Sequence, residues 1–473
     1  MSDDMTDTEK AVFLDELRTH VGKTGKPAMA RDPVNQPMIR HWCDAMEDHN
    51  PVYTDPAFAA QSVHGAIVAP PAMLNVWTMP GNIPRPFDAE DAQTKLLRRL
   101  DAAGFTSVVA TNSEHEYVRY LRLGDEISGV SQVTDVSEEK RTALGVGHFV
   151  TTMTEYRDQT SDIVGQMKFR ILKFKPGTGR SAPAERDDAV RAARPLRPRP
   201  GISRDTRFFW DGLKRGELRI QRCNGCGTLH HPPMVRCPQC GSYDLGHTVS
   251  CGRGIVYSFV EPCHPKVAAF EYPYVVGLVE LEEGTRLITN IVDLDPDQVT
   301  IGMPVDVVFR NPDPELTLPL FRPRRPPRRD TTLGFDEVTI GDELPPCPIP
   351  ITTRLIVAGA IASRDYQDVH HDRELAVQRG APDIFMNILT TSGLCARYIS
   401  DWAGPEALLR RLTCRLGVPN YPHDTMTMSG ALCSKHTEGD AGVIEVGLRG
   451  YNRLGDHVTG TVTLELPPLG GRP

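Results

Sequence analysis

A chain of 473 residues with a net charge of -8 and no apolar run long enough to cross a bilayer excludes a lone small domain, a strongly basic nucleic-acid coat and a helical membrane protein. Its length predicts about three domains. Residues 1–10 are acidic and polar rather than a signal sequence. Eleven cysteines, four of them in two C-x-x-C pairs, suit metal binding and buried thiols in a reducing compartment, so a cytoplasmic location is expected.

Residues 8–22, with Ala11, Val12, Leu14, Leu17 and Val21 at roughly helical spacing, predict an amphipathic helix that caps the first domain. A second helix over 37–47 leads into Met46 to Asp55, M-E-D-H-N-P-V-Y-T-D. A central helix follows within 66–78, starting near Pro70 and Pro71, because proline is tolerated in a helix's first turn. Apolar or alternating runs at 115–121, 125–136, 142–156 and 163–174 predict a meander of long strands.

Residues 176–202 are rich in Pro, Arg, Ala and Gly without apolar periodicity, and read as a linker. Beyond it, 206–218 carries Phe208, Phe209, Trp210 and Leu213 and reads as a helix running into the pairs Cys223/Cys226 and Cys237/Cys240. Four thiolates in two tight pairs, each pair followed by Gly, are what tetrahedral Zn(II) needs. With all four positions filled by protein, the zinc is structural. Short strands at 252–260, 273–280, 286–291 and 303–309 predict a small β-barrel of OB type. From Arg222 to Arg310, six Lys/Arg stand against ten Asp/Glu, the wrong sign for a phosphate-tracking groove, so no nucleic-acid partner is expected. The stretch Phe321 to Arg329, F-R-P-R-R-P-P-R-R, reads as a stiff spacer within a linker at 321–330.

The last domain begins near Thr331. Segments 338–344 and 352–358 lead to Ser363 through Asp372, S-R-D-Y-Q-D-V-H-H-D. A second central helix is expected over 384–402, and strands at 409–418, 426–436, 443–452 and 460–466 repeat the first domain's topology. Asp365 and His370 form a candidate acid/base pair able to converge on one water or one substrate proton. Without gaps, Asp48 pairs with Asp365, Val52 with Val369, Asp55 with Asp372, Ala59 with Ala376, Gln61 with Gln378 and Ile67 with Ile384, which suggests an internal duplication. The copies then diverge. Tyr53 stands opposite His370, and Pro70 and Pro71 stand opposite Asn387 and Ile388. Proline has no amide hydrogen, so a main-chain donor for a developing oxyanion can come from the second copy and not from the first.

The D-x-N-P-V-x-x-D form of the first copy and the D-x-x-D-V-H-x-D form of the second resemble the signature of MaoC-like (R)-specific enoyl-CoA hydratases. The resemblance implies an α+β fold of two hot-dog domains forming a double hot-dog. It also implies a catalytic water held by Asp365 and His370, and a thioester oxygen bound by the backbone amide of Asn387 or Ile388. Gln367 and Asp368 depart from the usual Asn-Pro. Helix, zinc ribbon and OB barrel in that order resemble the DUF35 family, which implies docking of a thiolase-like aldolase. The arrangement as a whole resembles the two-component steroid side-chain enoyl-CoA hydratases joined in one polypeptide. The organisation expected is then a non-catalytic hot-dog at 1–175, a helix, ribbon and barrel at 203–320, and a catalytic hot-dog at 331–473. A CoA thioester is the implied substrate and a homodimer the implied assembly. Two other readings stay open at this point: a hydratase of linear enoyl-CoAs, and a non-enzymatic acyl-CoA-binding adaptor.

Overall fold

The helix Ile388–Ala403 organises one half of the protein, because twelve of its sixteen residues are buried. A segment buried nearly all round is a core element rather than an amphipathic surface helix. The structure, a computed structural model, describes residues 6–82, 91–179, 195–439 and 441–467. Of the linker expected over 176–202, residues 180–194 lie outside those described. The chain forms two compact units, one of Met1–Ala184 with Pro326–Pro473, the other of Glu185–Arg325.

In the first unit, antiparallel strands build one sheet in the order Ala28–Met29, Ser128–Val136, Val146–Arg157, Ile163–Phe174, Ser107–Tyr117, Leu408–Leu416, Gly455–Leu466, Ala441–Asn452, Asp424–Glu438 and Glu343–Ile351. The two repeats meet inside this sheet, where Arg411 pairs with Glu116, Leu412 with His115 and Cys414 with Ser113. An Arg411–Glu114 ion pair reinforces the junction, as does a bond of 2.8 Å from the Leu409 amide to the Tyr120 hydroxyl. Against the sheet lies the long helix, approached from the first repeat by Gln36–Met46, whose buried Ile39, Trp42, Cys43 and Met46 fall on one face. That approach depends on Gly393, where a Cβ would sit 2.7 Å from the Trp42 ring and 3.0 Å from Met46 Sδ. Arg397, fully buried one turn on, donates from its guanidinium to the Met46 carbonyl. Together these contacts make a single core from two repeats.

The repeats match element for element up to their motifs. Helix Gln36–Met46 corresponds to Thr353–Ala362, and Pro56–Gln61, capped by Asp55, to Arg373–Gln378, capped by Asp372. After that they part. The central helix expected within 66–78 is instead two 3-10 turns, Pro71–Met73 and Val76–Thr78. Pro80 disfavours helix at the residue before it, leaving too short a stretch after Pro71 for a stable α-helix. A helix that the sequence reading lacked, Ala92–Ala102, packs Leu96 and Leu100 on Phe13 and Leu17 of Asp7–Arg18.

The second unit holds the short helix Arg207–Leu213, a three-stranded sheet around Arg219–Cys223, and a closed barrel of Arg253–Val260, Val275–Leu281, Arg286–Ile291, Leu316–Pro323 and Pro304–Asp313. Strand Leu316–Pro323 corrects the boundary expected at 320/321. Phe321 is fully buried in the barrel core, so the strand continues to Pro323 before the Arg/Pro segment begins. No helix among the described residues is long and apolar enough to cross a membrane.

Candidate active site

The helix Thr353–Ala362 ends at Ser363, and Arg364 takes a left-handed φ of 58° that turns the chain back on itself. The Asp365 amide then donates to the Ala360 carbonyl at 2.9 Å, which points this carboxylate into the protein rather than out to water. Five residues on, the 3-10 turn Asp368–His370 delivers His370 to the same place. Both side chains are buried, and His370 Nε2 lies 3.5 Å from Asp365 Oδ2.

The hydrogen bonds fix the histidine tautomer. His370 Nδ1 is 2.7 Å from the Phe385 carbonyl, which can only accept, so Nδ1 carries the proton. Burial holds the His370 pKa below its ordinary value, outweighing the Asp365 carboxylate and the Phe385 carbonyl that pull it up. A neutral ring protonated at Nδ1 presents a lone pair at Nε2. The site therefore sets two acceptors 3.5 Å apart, close enough for one water to donate a hydrogen to each.

Asn387 stands behind the pair as the N-cap of the long helix. Its Oδ1 accepts from the Thr390 amide at 2.8 Å, while its Nδ2 donates to Asp365 Oδ2 at 3.0 Å and to Ser363 Oγ at 2.9 Å. The helix start leaves amides unused, as every helix start does. Those of Asn387 and Ile388 have no acceptor among the described residues. The structure thus brings Asp365, His370, Asn387 and Ile388 together. Sequence reasoning missed Ser363 and the Asn387 side chain. The available signal was an Asn just before an apolar helical run, the usual mark of an N-cap.

The first copy is built differently at the same positions. Asp48 is buried, and burial raises its pKa against the pull of the Asn50 amide and the Arg397 guanidinium. Its Oδ1 accepts from the Asn50 backbone amide at 3.0 Å. Around Asp48 lies a cavity of about 10 Å³, lined among others by Tyr53, Pro70, Pro71, Gly393 and Ser400. That is room for about one water molecule and no acyl chain.

The second unit contains the four-cysteine cluster. Sulfurs of Cys223, Cys226, Cys237 and Cys240 all lie within 4.8 Å of one another, with Cys223–Cys240 at 3.5 Å and Cys226–Cys237 at 3.6 Å. A zinc at about 2.3 Å from each of four tetrahedral sulfurs needs them about 3.8 Å apart, so the set fits the ion. Gly227 and Gly241 have left-handed φ of 76° and 72°, letting each knuckle close with a bond from the glycine amide to the first cysteine's carbonyl.

The sheet and the helices packed on it define the MaoC-like double hot-dog class. A solved MaoC-like dehydratase shares this fold at a TM-score of 0.52, with 17% identity over 96% of this chain and 99% of its own. Residues 20–167 match the FAS1-like dehydratase domain region, 210–246 the ChsH2 rubredoxin-like zinc ribbon domain, and 248–310 the ChsH2 C-terminal OB-fold domain. The chain belongs to the enoyl-CoA hydratase alpha-subunit family. It is 46% identical over 313 residues to a probable enoyl-CoA hydratase alpha subunit of Thermomonospora curvata, across 66% of this chain and 96% of that one. Two Mycobacterium tuberculosis proteins are also similar, the alpha and beta subunits of a 3-oxo-4,17-pregnadiene-20-carboxyl-CoA hydratase. The alpha subunit is 46% identical over 287 residues, 60% of this chain and 89% of its own; the beta subunit is 50% identical over 127 residues, 27% and 95%.

Proposed function

We propose that this enoyl-CoA hydratase adds water across the 2,3-double bond of a bulky, steroid side-chain enoyl-CoA at Asp365 and His370, in the C-terminal repeat. The observation that carries the reading is the pair of acceptors 3.5 Å apart beside two unused amides at a buried helix start. A water held between Asp365 and His370 gives up a proton to the pair as its oxygen attacks C3. The C2–C3 π electrons move toward the thioester, and the charge collects on its oxygen as an enolate. Amides of Asn387 and Ile388 hold that oxygen, a contribution of about 3 kcal/mol per well-placed donor in comparable sites. The proton is then delivered to C2, so water is added whole and from one face. The N-terminal repeat serves as scaffold, since Tyr53 stands in place of the base and Pro70 and Pro71 in place of the donors.

The steroid part of the reading rests on the names of the M. tuberculosis subunits, whose alpha and beta features this chain joins in one polypeptide. The zinc ribbon and barrel dock a thiolase-like aldolase that acts on the hydrated product. Supporting that role are the resemblance to DUF35 and a zinc site with no position open for chemistry. A homodimer is the expected assembly.

The test follows loss of conjugated-thioester absorbance with a panel of enoyl-CoAs. A fused-ring substrate should turn over faster than crotonyl-CoA. The reverse order would replace the steroid by a linear acyl chain, and no turnover with any member would remove the hydratase reading. For the docking role, chelating the zinc should unfold the second unit and abolish aldolase binding while hydration stays within about twofold, because structural zinc supplies folding energy directly.

A further inference from the structure

We infer that the Asn387 side chain, as distinct from its backbone amide, is a positioning residue that holds the Asp365 carboxylate in register with the start of the long helix; the inference rests on the hydratase reading above. Asp48 and Asp365 occupy equivalent positions, yet they are held by different donors. Asp48 takes a local bond, from the amide of Asn50 two residues on. At the place of Asn50 the second copy has Gln367, and the turn after it has no side-chain cap. Asp365 is held instead from 22 residues away, by Asn387 Nδ2 at 3.0 Å. The first copy has Pro70 at that position, which has neither an amide hydrogen nor a polar side chain.

The three polar bonds of Asn387 form a closed set. One amide hydrogen goes to Asp365 Oδ2 and the other to Ser363 Oγ, whose own hydrogen goes to the Ala360 carbonyl at 3.1 Å. The side-chain oxygen caps the helix at the Thr390 amide. With Asn387 3% exposed and Ser363 fully buried, neither can exchange these bonds for water. One rigid side chain therefore ties the group that binds the water to the amides that face the thioester oxygen. An error of about 1 Å between such parts can cost about 100-fold in rate.

Asn387→Asp separates this role from ordinary helix capping. Aspartate caps as well as asparagine, but it sets a second carboxyl group against Asp365, and two buried carboxyl groups that close must share a proton, which takes Asp365 out of its ionised state and lowers Tm. Its kcat should fall about 100-fold with KM changed less than about threefold. Asn387→Ser, a capping residue too short to reach Asp365, guards against a charge artefact and should lose about 10-fold. Wild-type kcat in both variants would overturn the inference. The pair is then repeated in an Asp365→Asn background, since a residue acting through Asp365 loses its effect once that carboxylate is gone. A full loss persisting there would also overturn it. Asp365→Asn hydrating at the wild-type rate is a different failure, of the site assignment itself.

Discussion

Two aspartates at equivalent positions of a repeated fold have been put to different ends. Asp48 faces a cavity with room for about one water, lined by Tyr53, Pro70 and Pro71 among others. Asp365 faces a neutral histidine lone pair and a helix start with spare amides. The aspartate alone therefore decides nothing. What differs is the partner five residues on and the element some twenty residues beyond, where the first copy has Pro70 and Pro71 without amide hydrogens and Pro80 cutting the helix short, and the second has Asn387 capping a long one.

The comparison is broken most directly at the acid/base pair. Asp365→Asn or His370→Gln should cut hydration by about 100- to 10,000-fold while the protein stays folded, as checked by thioester absorbance and circular dichroism. Next, Tyr53→His added to Asp365→Asn should restore nothing, because the first copy would still lack main-chain donors at Pro70 and Pro71. Recovery of even a tenth of wild-type turnover would show that the two copies differ only at the base.

A third measurement concerns pH. With His370 held neutral by burial, kcat should persist below pH 6.5 and fall once the ring takes a proton and Nε2 loses its lone pair. Stability should follow the same sign. Burial pushes His115 and His457 down to about 4. An unfolded imidazole takes its proton from about pH 6.5 downward, so this stability is complete above 6.5 and is lost between there and about 4. A Tm that rises on acidification through this window would contradict the buried, neutral assignments. The smallest effect is expected at Asp48→Asn, with turnover within about threefold of wild type. A loss equal to that of Asp365→Asn would make the first copy a working site.

What could be read in the sequence was what the chain keeps close together. Asp365 and His370 lie five residues apart and stood out only beside the earlier copy and the family signature, whereas each cysteine pair spans a single knuckle whose spacing was signal enough. The bonds of Asn387 to Ser363 and Asp365 cross 24 and 22 residues and exist only once the helix has docked. Prolines hid two strands. In Glu343–Ile351, four prolines obscure the alternation, yet the strand pairs only with Asp424–Glu438 at the sheet's edge, where missing amide hydrogens are tolerated. Leu316–Pro323 was lost in the same way, its buried Phe321 having been read as the start of a spacer. The first central helix failed for the opposite reason: Pro70 and Pro71 suit a helix start, but Pro80 leaves no length behind them.

The backbone pairing of Leu408–Leu416 with Ser107–Tyr117 also bears on how the protein behaves at low concentration. Strands that would be a bimolecular interface in two separate subunits are here joined covalently, so their encounter is governed by an effective concentration and not by how much protein is present. Loop-closure entropy grows only with the logarithm of the intervening length, and the insert is a compact unit with its own core, so the long excursion between the two strands costs little. The turnover per molecule of this hydratase should therefore be independent of dilution down to concentrations at which a two-chain counterpart falls apart.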